Sequence, residues 1–204
     1  IVAPNAAGVS HNRYSRFDVD ARGVILNNSR STLIDGMDVI TLNRNLRDGP
    51  ARIILNEVNA PQASLLQGPV RVAGARAEVI IANPAGIRCN GCGFLHASRV
   101  ELATAKPVIA DGRITGYTMG DGMLEFAGRG LDATGVDSLS LLTQAARINA
   151  GIWAKDLRIS LQTTVATGSV ATSPADSPTF ALDVAHIGGM YAQRIWLEIG
   201  RAHV

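Results

Sequence analysis

The chain consists of short runs in which apolar and polar residues alternate, separated by clusters of Gly, Asn, Asp, Ser and Thr. Leu139-Ser140-Leu141 and Leu157-Arg158-Ile159 are two such runs. Alternation with a period of two is typical of a strand with one buried face, and the intervening residues favour tight turns. The pattern therefore predicts many short β-strands and no long helix.

An internal repeat of about 20 residues is visible in the second half of the chain. The two runs above lie 18 residues apart, and Leu131-Asp132-Ala133 is followed 17 residues later by Ile148-Asn149-Ala150. A third match, between residues 154–159 and 192–197, has an offset of 38, which corresponds to two such periods.

A repeat of this length, made of strands with small residues at the corners, predicts a solenoid whose repeats bury their apolar faces by stacking. Leucine-rich repeats would need a regular Leu-x-x-Leu-x-Leu-x-x-Asn frame, which is absent. We therefore predict an all-β fold, a right-handed parallel β-helix of about ten coils and about 50 Å in length.

Some segments do not follow the repeat. Residues 163–179 are polar and contain Pro, so we expect an extra-helical hairpin or loop between coils. Residues 1–21 are expected to cap the β-helix, whose end would otherwise expose unpaired backbone. We thus predict a single domain, 1–197, with a cap at 1–21 and a β-helix at 22–197.

The two ends of the sequence call for separate treatment. The chain starts at Ile1 with no initiator Met or charged leader, so we expect a mature or truncated fragment. Residues 198–204 break the preceding strand pattern, and we expect them to be a non-native tail.

Composition narrows the function classes. The chain is 47% hydrophobic but only 4% aromatic, and its formal net charge is +2. The 17 Arg and 2 Lys residues are dispersed, whereas a nucleic-acid site would show a basic patch interleaved with aromatic residues. No apolar run approaches the roughly 18 residues of a membrane span. We expect neither a nucleic-acid partner nor a membrane-spanning segment.

One turn has a distinctive sequence. An apolar run leads into Asn83-Pro84-Ala85-Gly86, which is followed by Ile87. Asn at the first position can bond its own backbone, Pro presets its own φ, and Gly accepts a positive φ. The segment predicts a β-turn, and a turn of this kind in an arbitrary protein usually serves folding alone.

Three stretches, 8–19, 43–58 and 80–94, resemble the secretion domains of two-partner secretion (TPS) exoproteins, which include filamentous haemagglutinins and contact-dependent growth inhibition toxins. Asn43-Arg44-Asn45-Leu46 is similar to the family's Asn-Pro-Asn-Leu segment, with Arg44 in place of Pro. Residues 83–87 are similar to its Asn-Pro-Asn-Gly-Ile motif, with Ala85 in place of the second Asn. The Cys-Asn-Gly-Cys segment at 89–92 resembles the toxin members more than the haemagglutinins.

The resemblance implies a secretion-targeting domain at the N-terminus of a large exported exoprotein, and not an enzyme. It implies a TpsB-type outer-membrane transporter, with POTRA domains and a barrel, that exports the protein through the periplasm to the cell surface or medium. Residues 43–46 and 83–87 are then the candidate recognition motif. We expect no cofactor, metal or small-molecule substrate, and a monomeric isolated domain.

Cys89 and Cys92 are the two cysteines of the chain. Their spacing matches half of a zinc site or a redox pair. No second Cys pair or closely spaced His pair completes a zinc site, and strand-like runs flank the segment. We predict a local disulfide formed in the periplasm or outside the cell, in preference to two free thiols.

Other functions are weighed against this one. Ser10, His11 and Asp18 are triad residue types, but adjacent strand residues point to opposite faces, which argues against a Ser10–His11 pair. A polysaccharide-cleaving β-helix would stack carboxylates across coils, whereas Asp132 is matched with Asn149 one repeat later. The main alternative is an adhesin that binds host carbohydrate or protein directly, and the few aromatic residues argue against a sugar-stacking surface.

Overall fold

A computed structural model describes residues 1–35, 38–162, 182–184 and 189–199. These residues form strands and no helix, so the all-β prediction is confirmed. The strands are β1 (Val9–Tyr14), β2 (Val24–Asn28), β3 (Leu33–Asp35), β4 (Asp38–Ile40), β5 (Ile53–Val58), β6 (Ser64–Leu66), β7 (Pro69–Gly74), β8 (Glu78–Ala82), β9 (Ile87–Cys89), β10 (Cys92–Leu95), β11 (Arg99–Ala103), β12 (Ala105–Ala110), β13 (Arg113–Met119), β14 (Leu124–Phe126), β15 (Leu131–Thr143), β16 (Ala146–Ile148), β17 (Gly151–Leu161), β18 (Leu182–Val184), β19 (Gly189–Tyr191) and β20 (Arg194–Ile199).

Strand β17 shows how the alternating sequence forms a coil. Ile152, Leu157 and Ile159 are buried in the core, whereas Trp153 and Arg158 are exposed. Because successive side chains on a strand point to opposite sides, one side of the strand packs inward and the other faces solvent.

Parallel strands from successive coils form three faces. Face 1 contains β2, β7, β10, the first parts of β15 and β17, and β19. Face 2 contains β1, β5, β8, β11, the second parts of β15 and β17, and β20. Face 3 contains β6, β9, β14, β16 and β18. Each coil passes from face 1 to face 2 to face 3, so the fold is a parallel β-helix, as predicted.

The number of coils is smaller than expected. In the described part of the chain, face 1 has six strands and face 2 has seven, so the helix has six complete coils and part of a seventh, not about ten. The expectation was too high because the antiparallel pairs β3–β4 and β12–β13 leave the coils. The insertion predicted at 163–179 lies outside the described residues.

Strand register confirms part of the predicted repeat. Leu139 pairs with Leu157, which confirms the 18-residue offset. Asp156 pairs with Arg194, so the alignment of 154–159 with 192–197 is also confirmed. These strands are direct neighbours, however, so the offset of 38 spans one coil and not two periods.

The 17-residue offset is wrong. Leu131 pairs with Ile152 on face 1, whereas Ile148 pairs with Phe126 on face 3. Apolar-polar-apolar triplets occur on all three faces, so a triplet by itself does not identify its face.

The inward-facing side chains of the three faces form one continuous core. It consists mainly of Val, Ile, Leu and Ala, with Phe94 and Phe126 as its largest fully buried members. Each fully buried aliphatic or aromatic side chain stabilises a fold by about 1.5–3 kcal/mol relative to an exposed one. Stacking of one coil on the next is therefore the main source of stability.

The β12–β13 pair packs on the outside of face 2. Ile114, Tyr117 and Met119 lie against a second apolar cluster that includes Leu55 and Ile80, whose side chains point outward from the helix. This pair is an extra-helical hairpin of the predicted kind, but the sequence analysis did not place one at 105–119.

Strands also extend both ends of the helix. Strand β1 pairs with β5, and Val19 pairs with Leu66, so the segment 1–21 adds to faces 2 and 3. Strand β20 runs through Glu198 and Ile199. The strand thus continues through Ile199 without the expected break after Leu197. Residues 200–204 lie outside the described residues, and the assignment of 198–204 as a non-native tail stays a prediction.

Candidate functional site

The predicted turn at 83–86 lies at the corner between β8 on face 2 and β9 on face 3. The Gly86 N–H donates to the Asn83 carbonyl at 3.0 Å, which closes a β-turn. The Ala85 N–H donates to Asn83 Oδ1 at 2.9 Å, so the side chain of Asn83 also bonds the backbone two residues on. Asn at the first position therefore stabilises the turn in the way that the sequence predicted.

Asn83 connects this turn to neighbouring coils. Its Nδ2 donates to the Gln62 carbonyl and to Ser64 Oγ, each at 3.0 Å, and its backbone N–H donates to the Ala103 carbonyl at 2.9 Å. The residue is 0% exposed. Every polar group of Asn83 is bonded within the domain, so its side chain does not face a partner.

The segment 120–123 packs directly on the other side of the turn. The Gly122 N–H donates to the Pro84 carbonyl at 2.9 Å. Gly86 has a φ of +115°, and a Cβ there would lie 3.0 Å from the Met123 carbonyl oxygen. Glycine is needed at this position both for its φ and for the close approach of the next coil.

Only the tip of the turn reaches the surface. Pro84 and Ala85 are partly exposed, and they line a surface groove of about 520 Å³ together with Pro61 and Asp121. Ile87 begins β9 and is buried in the core.

The segment 43–46 has the same internal bonding. The Leu46 N–H donates to the Asn43 carbonyl at 3.1 Å, and the Asn45 N–H donates to Asn43 Oδ1 at 3.0 Å. Asn43 Nδ2 donates to the carbonyls of Asn27 and Ile1, each at 2.9 Å. The two motifs are thus similar in conformation as well as in sequence.

The two motifs differ in burial and in place. The Asn43 turn follows β4 and bonds the segment after β2, at the corner between faces 1 and 2, whereas the Asn83 turn lies between faces 2 and 3. Asn43 is partly exposed and Arg44 is exposed, but Leu46 is 1% exposed. The structure therefore places the motifs at different corners and does not bring them into one cluster.

Cys89 and Cys92 are joined by a disulfide across the corner between β9 and β10. Their Cα atoms are 5.4 Å apart, and both side chains are buried. Gly91, between them, has a φ of +82° and donates its N–H to the Gly130 carbonyl at 2.8 Å. The bond links two successive faces at a tight turn.

The side chains considered for catalysis have other partners. Ser10 Oγ donates to the Val2 carbonyl at 2.8 Å, and Asp18 accepts from the Leu65 N–H at 2.8 Å. His11 Nε2 lies 2.5 Å from Glu57 Oε2, a contact between neighbouring strands that the sequence analysis missed. Only the parallel pairing of β1 with β5, which brings these two side chains together, could have predicted this contact.

The matching of Asp132 with Asn149 was wrong. Asp132 lies opposite Trp153 in the next coil, and its Oδ1 accepts from the Thr134 N–H at 2.9 Å, which is a local turn contact. Among the described residues, no group of three His, Cys, Asp or Glu side chains is placed to hold a metal ion. No helix in this part of the chain is long and apolar enough to cross a membrane.

The fold agrees with that of a solved structure described as the crystal structure of a filamentous hemagglutinin secretion domain. The match has a TM-score of 0.85 at 30% identity and covers 97% of this chain and 71% of that chain. This similarity defines the class as a β-helical secretion domain. The TPS secretion domain family matches residues 1–199, and the chain belongs to that family.

Curated relatives agree with the assignment. The chain is 44% identical over 210 residues to Toxin CdiA of Yersinia pestis, and 42% identical over 206 residues to tRNA nuclease CdiA-2 of Burkholderia pseudomallei (strain 1026b). These matches cover 97% and 95% of this chain but 6% of each relative. The chain is a secretion domain in a family of exported proteins, so its family does not assign it a catalytic role.

Proposed function

We propose that this chain targets a long bacterial exoprotein for two-partner secretion by binding the periplasmic POTRA domains of its cognate TpsB-type outer-membrane transporter. The observation that carries the proposal is the match of the TPS secretion domain family to residues 1–199. The exoprotein then crosses the periplasm and passes through the transporter barrel to the cell surface or medium. The isolated domain acts as a monomer in this process.

The two Asn turns serve this function mainly by holding the recognised surface in shape. The buried amide of Asn83 bonds two coils, so a partner would contact Pro84 and Ala85 at the tip of the turn and not Asn83 itself. At the other corner the exposed Arg44 and Asn45 are available to a partner, while Leu46 anchors the turn in the core. Residues 1–21 cap the first coil.

Toxic activity belongs elsewhere in such a protein. The relatives named as toxins and tRNA nucleases share with this chain a segment that is 6% of their length. We assign any activity of that kind to regions of the whole exoprotein outside this domain. Direct adhesion to host carbohydrate or protein is not favoured, because the family match is to secretion domains.

Export assays test the proposal. The chain, carrying a signal peptide, is expressed in a bacterial host with and without its cognate transporter, and its fraction in the medium is measured. We expect release only with the transporter, whereas a periplasmic protein without this domain stays inside in both strains. Equal release in the two strains, or none in either, would contradict the proposal.

A further inference from the structure

A cationic cavity lies beside the 43–46 turn. It has a volume of about 230 Å³ and is lined by Arg30, Arg44 and Arg47, together with Leu42, Asn43 and Leu46. None of these lining residues is acidic. Guanidinium groups bind carboxylates through paired hydrogen bonds, so the cavity has the chemistry to accept Asp or Glu side chains of a partner.

The backbone that carries these arginines is held in place. Arg30 Nη2 donates to the Arg47 carbonyl at 3.1 Å, which connects the two sides of the cavity. Asn43 secures the turn between them through its bonds to Asn27 and Ile1. All three arginine residues are exposed. A binding site on a fixed backbone needs less ordering when the partner arrives.

An exposed apolar pair lies in the β3–β4 segment, between the cavity-lining residues Arg30 and Leu42 in the sequence. Ile34 and Val39 are cross-strand partners in the β3–β4 pair. They are 78% and 69% exposed, more than any other large hydrophobic residue in the described part of the chain. In the β12–β13 pair, by contrast, Ile114 and Tyr117 pack against the helix. The exposed pair therefore buries little area within the fold, and its apolar area is available to a partner, as at known interaction surfaces.

The β3–β4 pair is anchored beside its turn and at its base, but it is open at its edges. Arg71 Nη2 lies 2.6 Å from Asp38 Oδ2, and Asn27 Nδ2 donates to the Thr41 carbonyl at 2.8 Å. In the described residues, β3 and β4 pair only with each other. An open strand edge can accept a further strand from another chain.

We propose that the β3–β4 pair and the arginine cavity together form a docking surface for an acidic strand in the transporter's periplasmic domains, an inference that rests on the proposed function. The strand adds to an edge of the β3–β4 pair, its aliphatic side chains cover Ile34 and Val39, and its carboxylates enter the cavity.

Binding of the full chain to the purified periplasmic domains of the cognate transporter tests this inference. Calorimetry at low and high salt compares the unchanged chain with Ile34→Ser/Val39→Ser and with Arg44→Gln/Arg47→Gln. Val108→Ser/Ile109→Ser is the matched control, because these aliphatic residues are exposed on the other antiparallel pair. Urea unfolding checks that each variant is folded.

We expect the Ile34/Val39 variant to bind about tenfold or more weakly. The Arg44/Arg47 variant should lose about tenfold at low salt and most of its salt dependence, because complementary charges mainly raise the association rate. The control should bind within about twofold of the unchanged chain. If the unchanged chain binds and both test variants bind equally well, the docking surface is wrong while the proposed function stands.

Other occupants give different results. Equal binding of the unchanged chain to phosphatidylglycerol vesicles, or a reversible dimer that the Ile34→Ser/Val39→Ser change abolishes, would assign the surface to lipid or to a second copy and overturn the inference. If the unchanged chain does not bind the periplasmic domains, the inference also fails. The export assay then shows separately whether the proposed function fails with it.

Discussion

Replacing Asn83 by Ala should destabilise the domain without unfolding it. The change removes the two bonds donated by Nδ2 and the one accepted by Oδ1, and it leaves the Gln62 carbonyl, Ser64 Oγ and Ala85 N–H without these partners. A lost hydrogen bond costs about 1 kcal/mol, and a buried group left unpaired costs up to about 3 kcal/mol. We expect a loss of about 2–4 kcal/mol in the free energy of unfolding, within the roughly 5–15 kcal/mol typical of a domain.

Asn43→Ala is the matched comparison. Asn43 makes the same set of three side-chain bonds, but it is partly exposed, so water can replace some of them. We expect it to lose only about 1–2 kcal/mol in urea unfolding of the purified chain. Equal losses for the two variants, or a loss below about 0.5 kcal/mol for Asn83→Ala, would refute the view that burial of this amide holds the coils together.

The export of the same two variants is informative once their stability is known. We expect Asn83→Ala to remain folded when purified and yet to be released poorly, because the turn at 83–86 would no longer hold its tip in place. Normal release would show that this turn is not needed for recognition, and the 43–46 turn would become the first candidate. An unfolded variant would show that the turn is purely architectural.

Three further changes test separate parts of the structure. Burial raises the pKa of Glu101, so the contribution of this group to the free energy of unfolding should be greatest below the ordinary Glu pKa and should be lost as pH rises through the raised value. Glu101→Gln should remove this pH-dependent contribution, measured by urea unfolding between pH 4 and 8. When exported protein is unfolded without reductant and labelled for thiols, Cys89 and Cys92 should be unreactive, and two reactive thiols would contradict the disulfide. Removing this disulfide should lower the free energy of unfolding by no more than about 2 kcal/mol. Gly86→Ala should lower stability by about 1–3 kcal/mol through backbone strain and crowding, and by more than Gly49→Ala, which has a positive φ but open space for a Cβ.

The sequence predicted the fold class because the apolar alternation of the coil strands determines it. The match of Leu139 with Leu157 succeeded because both residues lie in long strands on the same face. The match of Leu131 with Ile148 failed because apolar-polar-apolar triplets on different faces have the same pattern. The lengths of the corner segments decide which face each triplet joins, and these lengths depend on three-dimensional packing.

The antiparallel pairs were harder to predict than the coils. Strands β12 and β13 alternate like coil strands, so the sequence does not reveal that they turn back and cover face 2. The residues of both Asn motifs were found by their resemblance to a family. Their bonding to neighbouring coils, and the burial of Asn83, depend on stacking that a single sequence does not show.

The proposed function requires this chain to be sufficient to direct export through its transporter. The most direct measurement places residues 1–199, behind a signal peptide, in front of an unstructured passenger that otherwise stays in the periplasm. The passenger's fraction in the medium is then compared with and without the cognate transporter. We expect release only when both the chain and the transporter are present, and a passenger that stays in the periplasm in their presence would refute the proposed function.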